Sequence, residues 1–153
     1  CVRPSTLTVK PDFIIVRNQP RGPTPTQDKR NVLFSLMCAN IPAINSLNSI
    51  YMQLERPIMI GALREISKRC GDKFPLIPLT HYASCNQMVI APEFPCVMKV
   101  SHAHAGMGKV LMKEKQVFDD MRTVLALEDQ YCSAEPYIDT AFGIRVQKVG
   151  PSY

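Results

Sequence analysis

Two short apolar runs with a glycine-containing gap between them constrain this chain more than any other feature. Pro95–Ser101 (PCVMKVS) and Lys109–Lys113 (KVLMK) each read as a strand, and seven residues, His102 to Gly108, join them as a long hairpin loop. Gly106 and Gly108 stand two apart in that loop, where a glycine lets the backbone approach a ligand closely and aim N–H groups at it. Lys99 and Lys109 sit at its two ends as point charges suited to phosphate. Pairing Ser101 with Lys109 puts both lysines on one face, because side-chain direction alternates with period two. That face is a candidate phosphate clamp, and a solvated hairpin tip is the plain alternative. The generic phosphate motifs do not fit. GxxxxGK[ST] needs glycine where Ala103 stands and Ser or Thr where Val110 stands, and GxGxxG needs glycine at Leu111.

The rest of the chain alternates between the two periodicities. Asp12–Arg17 (DFIIVR) predicts a buried strand, and the proline- and glycine-rich stretch 18–27 a loop. Asp28–Asn40 predicts a helix with Val32, Leu33, Leu36 and Met37 on one face, and Ile41–Ile44 a second strand, together a β-α-β fragment. A short helix over Ser46–Gln53 is followed by a longer one with Pro57 at its first position, Met59, Leu63 and Ile66 on its apolar face, and Gly71 as its stop. Leu76–Tyr82, Tyr131–Glu135 and Phe142–Val149 read as strands. Gln116–Leu127 reads as an amphipathic helix on Val117, Met121, Val124 and Leu125. This mixed order with an antiparallel hairpin predicts an α+β fold rather than a purely parallel sheet.

Composition narrows the function classes. The 153 residues are 46% apolar and 20% charged, a globular balance, with a formal charge of +5. That excess suits phosphate or an anionic membrane face, and the basic residues are scattered rather than striped, which argues against nucleic acid. No run approaches the ~20 apolar residues needed to span a bilayer. The six cysteines show no CxxC pair and no zinc-type spacing. Cys38, Cys70 and Cys96 lie in regular stretches and read as reduced, buried thiols of an intracellular protein. His102 and His104 could face one way on an extended segment. Only His81 remains as a third histidine, so loop hydrogen bonding is the preferred role and no metal site is assigned. No nucleophile motif supports a catalytic residue. Both ends of the chain read as cuts from something longer.

PCVMKVSHAHAGMGKV (95–110) resembles the glycine-rich loop region of synapsins, which are ATP-grasp proteins. DFIIVR, IPAINSLNSIY (41–51), KFPLIPLTHY (73–82) and AEPYIDTAFGIRVQKVG (134–150) are similar to synapsin segments in the same order. The resemblance implies an ATP-grasp-like fold that begins with the end of a Rossmann-like pre-ATP-grasp domain. Residues 1–52 would belong to that domain, 53–130 to the first ATP-grasp lobe, and 131–153 to the hinge and a truncated second lobe. It also implies ATP held between lobes. Lys99 would contact the α-phosphate region, and Gly106, Met107, Gly108 and Lys109 would cover the outer phosphates. Glu135 and Ile138 would hold adenine through backbone groups, a reading that suits a segment where Pro136 has no N–H and Ile138 does. Arg56 stands where the family usually has lysine, Ser101 where it has glycine, and Ala105 where it has serine. The divalent cation, calcium or magnesium, would take ligands beyond this chain, so that the 153 residues alone bind ATP weakly or not at all.

By the same resemblance the expected role is that of a cytoplasmic, presynaptic protein lying peripherally on synaptic vesicles. It would meet vesicle phospholipid and actin, form homo-oligomers, cluster vesicles and regulate neurotransmitter release. The alternative is an ATP-grasp ligase that activates a carboxylate with ATP, an analogy of fold alone. Asp139 and Arg145 receive no firm role.

Overall fold

Asp12–Arg17 does supply a strand, two residues long. In the computed structural model, which describes residues 9–22, 25–102, 106–127 and 130–151, β1 (Ile14–Ile15) pairs in parallel with β2 (Ala43–Ile44), Ile14 opposite Ala43. Helix α1 (Arg30–Cys38) makes the connection, so the expected β-α-β unit is present in a short form. The chain enters α1 where the Asp28 carboxylate accepts from the Arg30 backbone N–H at 2.9 Å and from Arg30 Nε at 2.8 Å, satisfying one of the orphan donors of a helix start. Leu33 of α1 is buried against Leu47 and Leu54, with Leu36 and Met37 beside them, while Val32 is exposed.

Helix α2 (Leu47–Leu54) starts at Ser46, whose hydroxyl accepts from the Ser49 N–H at 3.2 Å. Helix α3 (Arg56–Cys70) carries Pro57 in its first turn and stops at Gly71, whose φ of 57° is open to glycine at little cost. Its apolar stripe of Met59, Leu63 and Ile66 is half-buried. These elements make one compact unit, which ends at Leu76; a second begins at Ile77.

The second unit is a four-stranded sheet. Strands β3 (Thr80–Tyr82), β4 (Cys96–Val100), β5 (Lys109–Met112) and β6 (Cys132–Pro136) run in the order β3-β6-β4-β5, each pair antiparallel. Alternation sorts the side chains. Tyr82, Cys96, Met98, Met112, Cys132 and Ala134 point to one face, where Phe118 and Leu125 of α4 (Lys115–Leu125) close the core. The α+β class expected from the hairpin is what forms.

Three expectations need correcting. Leu76–Tyr82 was expected as a strand, but β3 begins at Thr80. Continuing the β3–β6 register would set Pro78 opposite Pro136, and neither has an N–H for the ladder. Phe142–Val149 was expected as a strand and is irregular: Phe142 and Val146 are 75% and 89% exposed, and no described residue pairs with the segment. An extended run without a neighbouring strand has nothing to satisfy its backbone groups except water. Finally, Cys38 and Cys70 are exposed rather than buried, each being the last residue of its helix, whereas Cys96 and Cys132 are buried.

Candidate functional site

The face of the sheet away from α4 carries the charged residues. Val97 and Lys99 of β4, Lys109 and Leu111 of β5, and Ser133 and Glu135 of β6 all project there, by alternation from the buried set. The hairpin register differs from the expected one. Lys99, not Ser101, stands opposite Lys109, and the ladder runs on to Val100, whose N–H donates to the Gly108 carbonyl at 2.8 Å. Gly108, where the chain enters β5, adopts φ 69°, a left-handed geometry that costs glycine little. Because Val100 bonds Gly108, Lys99 and Lys109 form a non-hydrogen-bonded pair. Side chains approach most closely in such pairs, with Cβ atoms ~4.5–5.5 Å apart.

Two like charges so placed repel, and a third group offsets them. The Glu135 carboxylate forms an ion pair with Lys99, and the two side chains are only 16% (Lys99) and 22% (Glu135) exposed. Glu135 stands opposite Val97 and Ser133 opposite Lys99, so the pair spans the β4–β6 diagonal. Ser133 is a polar residue buried to 4% exposure beneath this cluster. Sequence reasoning missed both the carboxylate's partner and Ser133. The alternation of CSAEP held the signal, but it becomes readable only once β6 is known to lie beside β4.

The backbone beyond β6 is also ordered by the ladder. The Tyr137 N–H donates to the Pro95 carbonyl at 3.0 Å, and the Ser101 N–H donates to the Tyr131 carbonyl at 2.8 Å. Odd-numbered residues of β6 therefore spend their backbone groups on β4, Glu135 among them. The even-numbered ones face the β3 side, where the ladder ends before Pro136.

The remaining expected site residues are placed as follows. Gly106 (φ 87°) and Met107 are exposed in the loop, and Ile138 is exposed just past β6. Arg56 is half-buried at the start of α3, in the first unit. Its neighbour Glu55 is ion-paired with Arg21 and, at 3.4 Å, with Arg30. His102 Nδ1 lies 3.2 Å from Ser101 Oγ, and Ser101 holds φ 52°, where glycine is at home. The His81 ring lies tilted at 41° to that of Tyr131, ring centroids 5.8 Å apart. His104 and Ala105 fall outside the described residues. Asp139 and Arg145 are exposed in the irregular segment. A separate cavity of about 300 Å³ lies in the first unit at the end of β1, lined by apolar Val16, Leu33 and Leu36 and by Arg17 and Lys29.

Residues 45–153 match a family model described as the ATP-binding domain of synapsin. Over 149 residues, 94% of this chain, the sequence is 33% identical to Synapsin from Drosophila melanogaster, of which it covers 14%. The backbone resembles a crystal structure of N5-carboxyaminoimidazole ribonucleotide synthetase (purK) in complex with ADP. The TM-score is 0.60 at 14% identity, over 83% of this chain and 30% of that one, a likeness of fold. The fold is α+β and ATP-grasp-like.

Proposed function

The chain belongs to the synapsin family, whose ATP-binding domain matches it from residue 45 onward, and we propose that it holds ATP against the lysine-bearing face of its second unit. One observation supports this above the others: Lys99 and Lys109 are set side by side at the mouth of a loop whose Gly106 and Gly108 both take positive φ. The lysines supply charge for the phosphates. A glycine-hinged loop can lay its backbone N–H groups over the outer ones. Gly106, Met107, Gly108 and Lys109 cover the β- and γ-phosphates and Lys99 the α-phosphate.

Adenine binds along the end of β6. There the ladder directs the Glu135 backbone toward β4, so the groups presented on the β3 side are the Pro136 carbonyl and the Ile138 N–H. One accepts from an exocyclic amine and the other donates to a ring nitrogen, the pattern adenine requires. This arrangement keeps Glu135 and Ile138 at the site but moves the acceptor from the Glu135 carbonyl to its neighbour. A divalent cation on the phosphates needs acidic ligands. Among the described residues no group of three or more His, Cys, Asp or Glu side chains could hold one, and we place those ligands elsewhere in the full-length protein. The lobe assignment is part of the same reading, with 1–52 in a pre-ATP-grasp domain, 53–130 in the first lobe and 131–153 in the hinge and second lobe.

At the level of the cell we propose a cytoplasmic presynaptic protein, peripheral on synaptic vesicles, that clusters them, contacts anionic phospholipid and actin, forms homo-oligomers and regulates release. The family membership and the net charge of +5 support this. No described helix is long and apolar enough to cross a membrane. Calorimetric titration of the full-length protein with ATP tests the nucleotide reading. Lys99→Ala should weaken binding by about 1.5–3 kcal/mol, the scale of a charged hydrogen bond. Unchanged affinity removes Lys99 from the site. Sustained ADP release with a divalent metal and candidate acids would favour the ligase alternative instead.

A further inference from the structure

The lysine face carries one feature that ATP binding alone does not explain. A carboxylate stands where a tetra-anionic ligand is to be received. Glu135 lies one register step along β6 from the residue opposite Lys99, and its side chain turns to Lys99 rather than to solvent. The pair is largely shielded, at 16% and 22% exposure, so separating it has a real cost, unlike the separation of a fully solvated pair. The carboxylate also stabilises the sheet, because it offsets the repulsion between Lys99 and Lys109 across β4 and β5.

We propose that the Glu135 carboxylate is a built-in competitor for phosphate. It occupies Lys99 when no anion is present, and any polyphosphate must displace or share that ammonium group against the charge of the carboxylate. The inference rests on the phosphate-binding reading of this face and goes beyond it by giving the Glu135 side chain a role opposite in sign to that of its neighbours. Lys99 and Lys109 raise anion affinity, and Glu135 lowers it. The cost is the same for every ligand that uses Lys99, so it scales down weak binders and strong ones alike. Bare phosphates, which gain nothing from the strand end at Pro136 and Ile138, stay weaker than ATP by the same ratio, and the carboxylate lowers the absolute affinity of both.

The test measures inorganic tripolyphosphate and ATP separately, by calorimetric titration of the full-length protein and two variants. Glu135→Gln removes the charge at constant shape and should tighten tripolyphosphate binding about three- to tenfold, the scale of one partly shielded ion pair. ATP should tighten by the same factor. Glu135→Asp keeps the charge but withdraws it by one methylene, and should give a smaller gain. An increase in affinity is not what local damage to the sheet produces, so either variant separates competition from a structural role. Tripolyphosphate affinity that is unchanged or weaker in both variants overturns the proposal and makes Glu135 a positioning residue for Lys99. If ATP binds no better than tripolyphosphate in the wild type, the adenine reading fails. The competitor proposal is still decided by the tripolyphosphate measurements.

Discussion

The two units of this chain hold themselves together by different means. The second has a sheet of four antiparallel strands and a core in which Met88, Met98, Met112 and Cys132 are wholly shielded and α4 closes one face. The first has a two-stranded parallel sheet and a core of three buried leucines, with Phe13, Ile15 and Ile44 left exposed. Beside that small core lies a charge network in which Arg21 and Arg30 both reach Glu55 and Arg30 also holds Asp28 at 2.6 Å. Parallel sheets ordinarily have both faces covered, and this one does not among the described residues. The comparison teaches where function can sit: the antiparallel unit buries one face completely and can therefore present the other, charged, as a rigid platform.

Core truncation should separate the units most sharply. Phe118→Ala removes the ring that meets Tyr82 and Phe94, and should cost the second unit about 3–5 kcal/mol. Leu54→Ala should cost the first about 2–4 kcal/mol, being a smaller deletion in a smaller core. Hydrogen exchange resolved by residue reads the two effects separately. If Phe118→Ala loosens α1 and α2 as much as β4, the units unfold as one and the contrast fails.

Charge removal gives the next effect. Glu55→Gln leaves Arg21 and Arg30 side by side at the start of α3 and should destabilise the first unit by about 1 kcal/mol, a loss that shrinks in high salt. An effect of the same size at all salt concentrations would show that packing, not charge, holds this corner.

The units should also fail at opposite ends of the pH scale. Burial holds the Cys96 thiol above its ordinary 9.0 and the Tyr82 hydroxyl above its ordinary 10.0. The unfolded chain therefore releases these protons first. Their contribution to the second unit is complete below about pH 9 and is lost as pH rises through the folded-state values. Hydrogen bonds from Arg30 hold the Asp28 carboxyl below its ordinary 3.8. Its contribution to the first unit is present above that value and lost as pH falls through the lowered one. Exchange measured at pH 9–11 should show β3 and β4 weakening before α1. The reverse order would contradict the assignment.

The smallest effect belongs to the loop. Ser101 sits at φ 52°, a geometry costing a non-glycine residue about 1–2 kcal/mol, of which glycine's extra flexibility returns about 0.5–1. Ser101→Gly should therefore leave a net gain of about 0.5–1 kcal/mol in thermal unfolding of the second unit. A loss would mean that the hydroxyl near His102 matters more than the backbone.

Much of the second unit was legible beforehand. PCVMKVS and KVLMK alternate cleanly, so the hairpin, the shared face of Lys99 and Lys109, and the buried role of Cys96 and Met98 follow from local pattern. The register was off by two residues, a shift that leaves every side chain on its face, so alternation alone does not choose between the two pairings. Phe142–Val149 looked like a strand because its composition is that of one, and composition says nothing about whether a neighbour exists to pair with it.

Within the candidate site the chain's own order of residues determined the loop glycines, the lysines at its ends, and the prolines at 78 and 136 that stop the β3–β6 ladder. Those are consequences of local backbone geometry, which each residue carries wherever it lies. Only the tertiary structure decided that β6 runs between β3 and β4, and with it that Glu135 reaches Lys99 and that Ser133 is buried beneath them. Strand order is settled by which long-range pairing buries the most apolar surface across connections such as α4, and no single stretch of sequence encodes that choice.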